Sequence, residues 1–185
     1  MKLILHIGTD KTGSTAIQKH LYVNRSWLLA RGVYVPLTGL GKDNGHGDLL
    51  AGMEAERLTE LADELTAARD AGYPCAVISW EGMCFMRARE IARLGAALAL
   101  DKPWLLVYLR EQADIVQTGY LQELKTDGSR VDIPDFHGLI WRPSRLRALR
   151  YCYSPMRNYA SLLRRWMTII PKGQVIAREF QRDLL

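Results

Sequence analysis

A short stretch rich in glycine and hydroxyl side chains follows the first apolar run of the chain. It reads HIGTDKTGST, with Lys11 inside it and Ser14 and Thr15 at its end. A strand, a tight turn of this composition and a helix are the parts of a phosphate-binding loop, in which backbone N–H groups attract an anion. Gly8 and Gly13 keep the spacing of the nucleotide-hydrolase loop, but Ser14 stands where that loop has its lysine. The stretch therefore predicts an anion site whose lysine has moved into the loop.

Two further predicted strands end in polar side chains that could join this loop. One ends in Ser79-Trp80-Glu81, and the next ends in Arg110. In a parallel sheet the carboxyl ends of the strands share one edge, where ligands bind. Phosphate loops that hold Mg²⁺ use a hydroxyl after their lysine and an acidic residue on another strand. The arginine favours an anion bound without metal, although Gly-Ser-Thr also suits plain helix capping.

The cysteines and histidines show no metal-binding pattern. Cys75, Cys84 and Cys152 form no CxxC pair and are odd in number, which favours free thiols in a reducing compartment. The four histidines have no ligand spacing with them. We therefore expect no metal site. The chain opens on a strand-like segment and has no apolar run of membrane-spanning length, so we expect a cytoplasmic protein.

The net charge of +5 suits an anionic ligand or substrate. Arginines concentrate between Arg142 and Arg165. Three interpretations are open for this run: a nucleic-acid surface, a solvated helix face, or a docking surface for an acidic substrate. We expect no nucleic-acid partner, and the sequence carries no signal of an oligomeric state.

Strand and helix signals alternate along the 185 residues. This order predicts a single α/β domain over residues 1–185, with a parallel sheet flanked by helices on both faces. The predicted strands are Leu3–Ile7, Ala76–Trp80, Trp104–Leu109 and Gln174–Arg178. The predicted helices cover Ser14–Arg31, residues near 58–65 and 91–98, Gln112–Lys125 and Tyr153–Ile170, and residues 38–52 are predicted as a loop. The chain stops soon after its last strand, which leaves open a truncated domain or one that a partner completes.

Four segments together resemble the sulfotransferases that use 3′-phosphoadenosine 5′-phosphosulfate (PAPS). They are KTGSTAIQ, SWEG, YLREQADIVQTGYLQ and NYASLLRRWMTIIPKGQVIAREF, in order along nearly the whole chain. The bacterial and carbohydrate-modifying branches of that family are the most similar. The resemblance implies a phosphate-loop fold and transfer of a sulfuryl group to a hydroxyl or amine of a carbohydrate or small-molecule acceptor. It also implies 3′,5′-diphosphoadenosine (PAP) as the second product, without a metal.

The resemblance assigns the donor site to the first loop and to the third predicted strand. In the family, Arg110 and the hydroxyl residue eight positions later, Thr118, grip the 3′-phosphate. The family usually has serine at the second position, and threonine keeps the hydroxyl donor. A weaker correspondence places Arg178 and Glu179 near the adenine. For the 5′-phosphosulfate, the resemblance implies contacts with Lys11, Thr12, Gly13, Ser14, Thr15 and Ala16.

The chemistry of transfer needs a cation at the leaving group and a base at the acceptor. Lys11 can stabilise the charge that develops on the leaving phosphate. Glu81 is our first candidate for the general base, because family members use a glutamate after a strand. Its plain alternative is a turn cap or a partner of an arginine such as Arg87. His46 is the second candidate base, since imidazole titrates near neutral pH, and it could also bind the acceptor.

Two other functions compete with the sulfotransferase. A kinase-like enzyme of the same fold would need Mg²⁺ and ATP, and the missing lysine after Gly13 argues against it. A noncatalytic nucleotide- or anion-binding module would bind a nucleotide and release no product. Among the tryptophans, Trp80 and Trp141 could stack on a sugar ring, although core packing explains most tryptophans.

Overall fold

The computed structural model describes residues 1–9, 11–50, 54–99, 102–115, 117–118, 121 and 158–181. Its centre is a parallel sheet of five strands in the order β2-β3-β1-β4-β5, flanked by helices. The strands are β1 (Lys2–His6), β2 (Val33–Tyr34), β3 (Cys75–Ser79), β4 (Trp104–Leu109) and β5 (Val175–Glu179). The helices are α1 (Ser14–Val23), α2 (Arg25–Leu29), α3 (Gly47–Leu50), α4 (Ala55–Asp70), α5 (Ala88–Ala97) and α6 (Tyr159–Trp166).

The core lies between one face of the sheet and three helices. Alternate residues of β1, β3 and β4 are buried, as the two-residue period of a strand requires. Helices α4, α5 and α6 pack their apolar stripes on this face. The main contributors are Leu5, Ile78, Leu105, Leu58, Leu61, Ile91, Leu94, Leu162 and Trp166. This packing fixes the positions of the three central strands, and therefore the positions of their carboxyl ends.

Several elements differ from the sequence-based prediction. The sheet has a fifth strand, β2, which was not predicted because two residues are too few to show the period of a strand. The helix predicted over Ser14–Arg31 is broken at Asn24 into α1 and α2. The predicted loop over residues 38–52 contains the short helix α3. The last helix begins at Tyr159, where the Asn158 side chain accepts a bond from the backbone N–H of Ser161.

The face that α1 buries is polar. By their spacing Ile17 and Leu21 lie on one face of this helix, but both are only half-buried. The buried residues of α1 are the polar Ser14 and Gln18. Burying polar groups without hydrogen bonds is costly, so the buried side chains of α1 are expected to have hydrogen-bond partners.

The register of the sheet brings three strand ends together. His6 pairs with Ser79 at the ends of β1 and β3, and β4 runs parallel to β1 on its other side. The connection after β1 runs to β2 on one side of the sheet, whereas the connection after β4 runs to β5 on the other side. The order of the strands therefore switches between β1 and β4, which is where α/β sheets bind ligands. Within the described part of the chain, every helix is too short or too polar to cross a bilayer.

Candidate active site

The loop between β1 and α1 (residues 7–13, hereafter the β1–α1 loop; residue 10 lies outside the described part) is shaped by left-handed backbone. Lys11 has a φ of 60° and Gly13 a φ of 74°. Gly13 precedes α1, which has no side-chain cap and no acidic residue in its first turn. Among the described residues of this loop and of the first turn of α1, no acidic side chain caps the N-terminal N–H groups or the positive end of the helix dipole. This is a suitable cradle for a phosphate or sulfate.

Hydrogen bonds to β4 and within the loop hold this cradle in place. The N–H of Thr9 donates to the Tyr108 carbonyl (3.0 Å), and the N–H of Tyr108 donates to the Gly8 carbonyl (2.7 Å). Thr12 is buried, and its hydroxyl donates to the Thr9 carbonyl. The Thr12 hydroxyl therefore braces the loop, whereas Thr15 and Ala16 are exposed on the first turn of α1.

Arg110, directly after β4, reaches across to the β1–α1 loop. Its Nη1 donates to the Lys11 carbonyl at 3.1 Å, and its side chain is only 14% exposed. The Tyr159 hydroxyl donates to the Arg110 carbonyl at 2.6 Å. The Phe180 ring centre lies 5.5 Å from the guanidinium carbon. The guanidinium of Arg110 thus lies against the backbone of the β1–α1 loop at Lys11, so the structure brings these two predicted binding residues into contact.

Thr118 lies two helical turns beyond Arg110, with Asp114 between them. The Thr118 hydroxyl donates to the Asp114 carbonyl at 2.7 Å. The Asp114 carboxylate lies 3.5 Å from Nε of Arg110 and is 55% exposed. An ion pair this exposed is weak, so an anion at Arg110 can displace it.

Glu81 follows β3 at the start of a 3₁₀ helix, Glu81–Phe85. Its Oε2 accepts a hydrogen bond from the Nε2 of Gln18 on α1. The neighbouring Trp80 ring packs against backbone: a Cβ on Gly82 would lie 2.1 Å from it, and one on Gly47 2.9 Å. The alternative partner of Glu81, Arg87, instead precedes α5, and its backbone N–H donates to Oε2 of Glu90 at 2.7 Å.

His46 is placed in the interior and joins two segments of backbone. The N–H of Ser79 donates to its Nδ1 (3.2 Å), and its Nε2 lies 3.2 Å from the Pro36 carbonyl. Nδ1 is therefore the acceptor and Nε2 carries the proton. The residue is 1% exposed, and burial lowers the pKa of His46. Both ring nitrogens are occupied in holding the loop of residues 35–47 to β3.

His6 is also fully buried, at the end of β1. Its Nδ1 lies 2.6 Å from the Ser79 hydroxyl, and its ring meets that of Tyr108 edge to face. Its Nε2 has no hydrogen-bond partner within the described part of the chain. Burial lowers the pKa of His6 to about 4, so the ring is neutral at physiological pH.

Acid should destabilise the folded protein through this histidine. The pKa of His6 is lowered from 6.5 to about 4, so between these values the unfolded chain binds a proton that the folded chain does not. The free energy of unfolding should fall as the pH is lowered through this window, by roughly 3 kcal/mol for the full shift. The lowered pKa of His46 adds a loss of the same sign. Urea denaturation at neutral and at mildly acidic pH measures it.

Two histidine variants serve as the comparison for this acid effect. Asparagine at position 6 can keep the bond to Ser79 without titrating, so His6→Asn should flatten the dependence of unfolding free energy on pH. His20 is exposed, so His20→Gln should leave the dependence unchanged. An equally steep dependence in His6→Asn would assign the acid sensitivity to other groups.

Three residues of the site were not predicted from the sequence. Gln18 and Tyr159 lie within two predicted helices, where neither was singled out as a functional residue. Phe180 follows the last strand, and its place at the carboxyl edge was the signal that could have found it.

Arg178 and Glu179 lie within β5 and are exposed. Trp141 and the arginines of residues 142–157 lie outside the described residues.

No protein-family model and no curated protein matches the chain in sequence. In three dimensions it matches 15 chains of solved structures. One is the crystal structure of a sulfotransferase from Alicyclobacillus acidocaldarius, with a TM-score of 0.58 and 15% identity over 97% of this chain and 73% of that one. The fold is sulfotransferase-like. At this identity the likeness shows the fold and not the reaction. Among the described residues, no group of three His, Cys, Asp or Glu side chains could hold a metal ion.

Proposed function

We propose that the protein is a PAPS-dependent sulfotransferase that acts on a hydroxyl or amine of a carbohydrate or small molecule. The observation that carries the proposal is the bond from the Arg110 guanidinium to the Lys11 carbonyl. It joins the end of β4 to the β1–α1 loop, so a guanidinium lies against the loop that leads into an uncapped helix N-terminus. A ligand with two anionic groups, such as a nucleotide carrying a 3′-phosphate and a 5′-phosphosulfate, matches this arrangement.

Each part of the donor has a counterpart in the cradle. The left-handed Gly13 and the N-terminal N–H groups of α1 suit the 5′-phosphosulfate, with Ser14 and Thr15 as hydroxyl donors. Arg110 and Thr118 suit the 3′-phosphate, on which a guanidinium makes strong charge-assisted bonds. When bound, the donor supplies an activated sulfuryl group whose leaving group is the nucleotide 5′-phosphate.

The proposed transfer uses Glu81 and Lys11 on opposite sides of sulfur. Glu81 takes the acceptor's proton while the acceptor oxygen bonds to sulfur. Lys11 neutralises the charge left on the 5′-phosphate oxygen as its bond to sulfur breaks. We favour Glu81 over His46 as the base, because the imidazole is buried with both nitrogens engaged, whereas the carboxylate is half-buried at the strand edge.

A Mg-ATP-dependent kinase-like enzyme is the second candidate for the same fold. Ser14 in place of the loop lysine argues against it. A noncatalytic anion-binding module is the third candidate, and the cradle geometry alone is equally suited to it. Dependence on metal separates the kinase-like enzyme from the sulfotransferase, and turnover separates the binding module from it.

Replacing Arg110 by alanine should weaken PAP binding by roughly 10- to 100-fold. The variant removes charge-assisted bonds of about 1.5–3 kcal/mol and also the support of the Lys11 carbonyl. Calorimetric titration of PAP without metal measures the affinity. Arg93→Ala removes the same charge from an exposed position on α5 and should bind PAP as the wild-type protein does.

The same titration with ATP and Mg²⁺ decides between the candidates. Metal-free binding of PAP that Arg110→Ala weakens and Arg93→Ala does not would support the proposed donor site. Binding of ATP with Mg²⁺ but not of PAP would overturn it in favour of the kinase-like enzyme. Equal weakening by both arginine variants would show that net charge, rather than Arg110, governs the affinity.

A further inference from the structure

Gln18 is a fully buried polar residue at the edge of the proposed active site. Its side chain is 0% exposed, and its Nε2 donates to Oε2 of Glu81. The backbone of Gly45 closes over it, since a Cβ at that position would lie 3.1 Å from the amide carbon of Gln18. The amide is thus held between α1, the loop of residues 35–47 and the carboxylate after β3.

Core packing does not account for a glutamine at this position. Its Oε1 is buried and has no hydrogen-bond partner within the described part of the chain. A buried acceptor without a partner costs about 1–3 kcal/mol. An apolar side chain of the same length would fill the space without that cost. Residues that break packing rules in this way are expected at functional sites.

The direction of the amide fits an ionised Glu81. A carboxylate has only acceptor atoms, so the NH₂ group is the half of the amide that it attracts. With the amide turned over, two oxygens would face each other. Within the described residues the observed arrangement occupies Oε2 alone, so Oε1 of Glu81 is the oxygen that we assign to the incoming proton.

We propose that Gln18 is a positioning residue that fixes the Glu81 carboxylate for proton transfer. The inference rests on the proposed function, because it needs Glu81 to be the base. A base must lie within hydrogen-bond reach of the proton that it removes. Without the amide, the carboxylate can rotate away while the donor cradle stays intact.

The test replaces Gln18 by methionine, which has similar length and no hydrogen-bonding amide. With PAPS as donor and phenol as acceptor, PAP release should show kcat lowered by about 10- to 100-fold, the cost of a misplaced catalytic group. The KM for PAPS should not change. The melting temperature should change little, because the loss of the bond to Glu81 and the removal of the unsatisfied Oε1 have opposite effects on stability. Leu21→Met, on the same helix, is the matched control and should match the wild-type protein in all three quantities.

The outcomes separate this inference from the proposed function. An unchanged kcat in Gln18→Met would overturn the positioning role while leaving the sulfotransferase intact. A lower melting temperature with unchanged kcat would make Gln18 merely structural. A wild-type protein that neither binds PAP nor releases it from PAPS would overturn the proposed function itself. Gln18→Leu is the second variant, and loss of folding in both would also refute a positioning role.

Discussion

Replacing Glu81 by glutamine should lower the kcat for sulfuryl transfer from PAPS to phenol by roughly 10²–10⁴-fold, the contribution of a positioned general base. Glutamine has the same shape and cannot accept the proton. The carboxylate lies after β3, away from the contacts of Arg110 with the β1–α1 loop. The KM for PAPS should therefore change little, and PAP should bind as tightly as before.

The acidity of the acceptor gives this prediction a sharper form. Phenol keeps its proton at mildly alkaline pH and needs a base, whereas p-nitrophenol is largely ionised there and does not. The loss in Glu81→Gln should be large with phenol and small with p-nitrophenol. Equal losses with the two acceptors would show that Glu81 positions or binds the acceptor and takes no proton from it.

Two other variants control for charge and for the second candidate base. Glu60→Gln removes one carboxylate from the exposed face of α4 and should leave kcat unchanged. His46→Gln should lower stability, because the imidazole joins Ser79 and Pro36. The folded fraction of this variant should keep the wild-type ratio of kcat with phenol to kcat with p-nitrophenol. If His46→Gln lost far more kcat with phenol than with p-nitrophenol, and Glu81→Gln lost equal factors with both, the two residues would have to exchange roles.

The apolar strands and the order of the fold could be predicted because their signals are local. Runs such as Leu3–Ile7 and Trp104–Leu109 are buried and patterned, and the turn after the first of them is rich in glycine. The parallel sheet flanked by helices is confirmed. Strand β2 was missed because its two residues gain their extended form by pairing with β3, at a distance of about forty residues in the chain.

The environments of individual side chains could not be predicted in the same way. His46 and Glu81 were both candidate bases on residue type alone. Only the backbone of β3 and Pro36 reveal that the imidazole is fully engaged. The contact of Gln18 could not be predicted for a related reason, since its partner Glu81 is 63 residues away in the chain. The periodicity of a helix also does not indicate that a polar amide is buried. The roles of all three residues stay predictions until the variants are measured.

Replacing Lys11 by methionine should lower kcat by roughly 10²–10³-fold, as for the loss of one group that stabilises developing charge. Lysine here has a φ of 60°, a conformation that disfavours β-branched residues most, whereas lysine and methionine are both unbranched at Cβ. Methionine therefore keeps the backbone preference of the loop and removes only the ammonium. Among the described residues, the Lys11 ammonium makes no ion pair, so the variant leaves no described carboxylate without its partner.

The choice of acceptor separates the role of Lys11 from that of Glu81. Lys11 assists the leaving 5′-phosphate, which is the same whichever acceptor attacks. Lys11→Met should thus lose similar factors of kcat with phenol and with p-nitrophenol, unlike Glu81→Gln. Lys19→Met removes an exposed lysine from α1 and is the charge control. A rise in KM for PAPS with kcat unchanged would mean that Lys11 binds the ground state alone, because such a change reports uniform binding. The leaving-group role would then pass to the N–H groups of α1 and to Arg110, which face the same cradle.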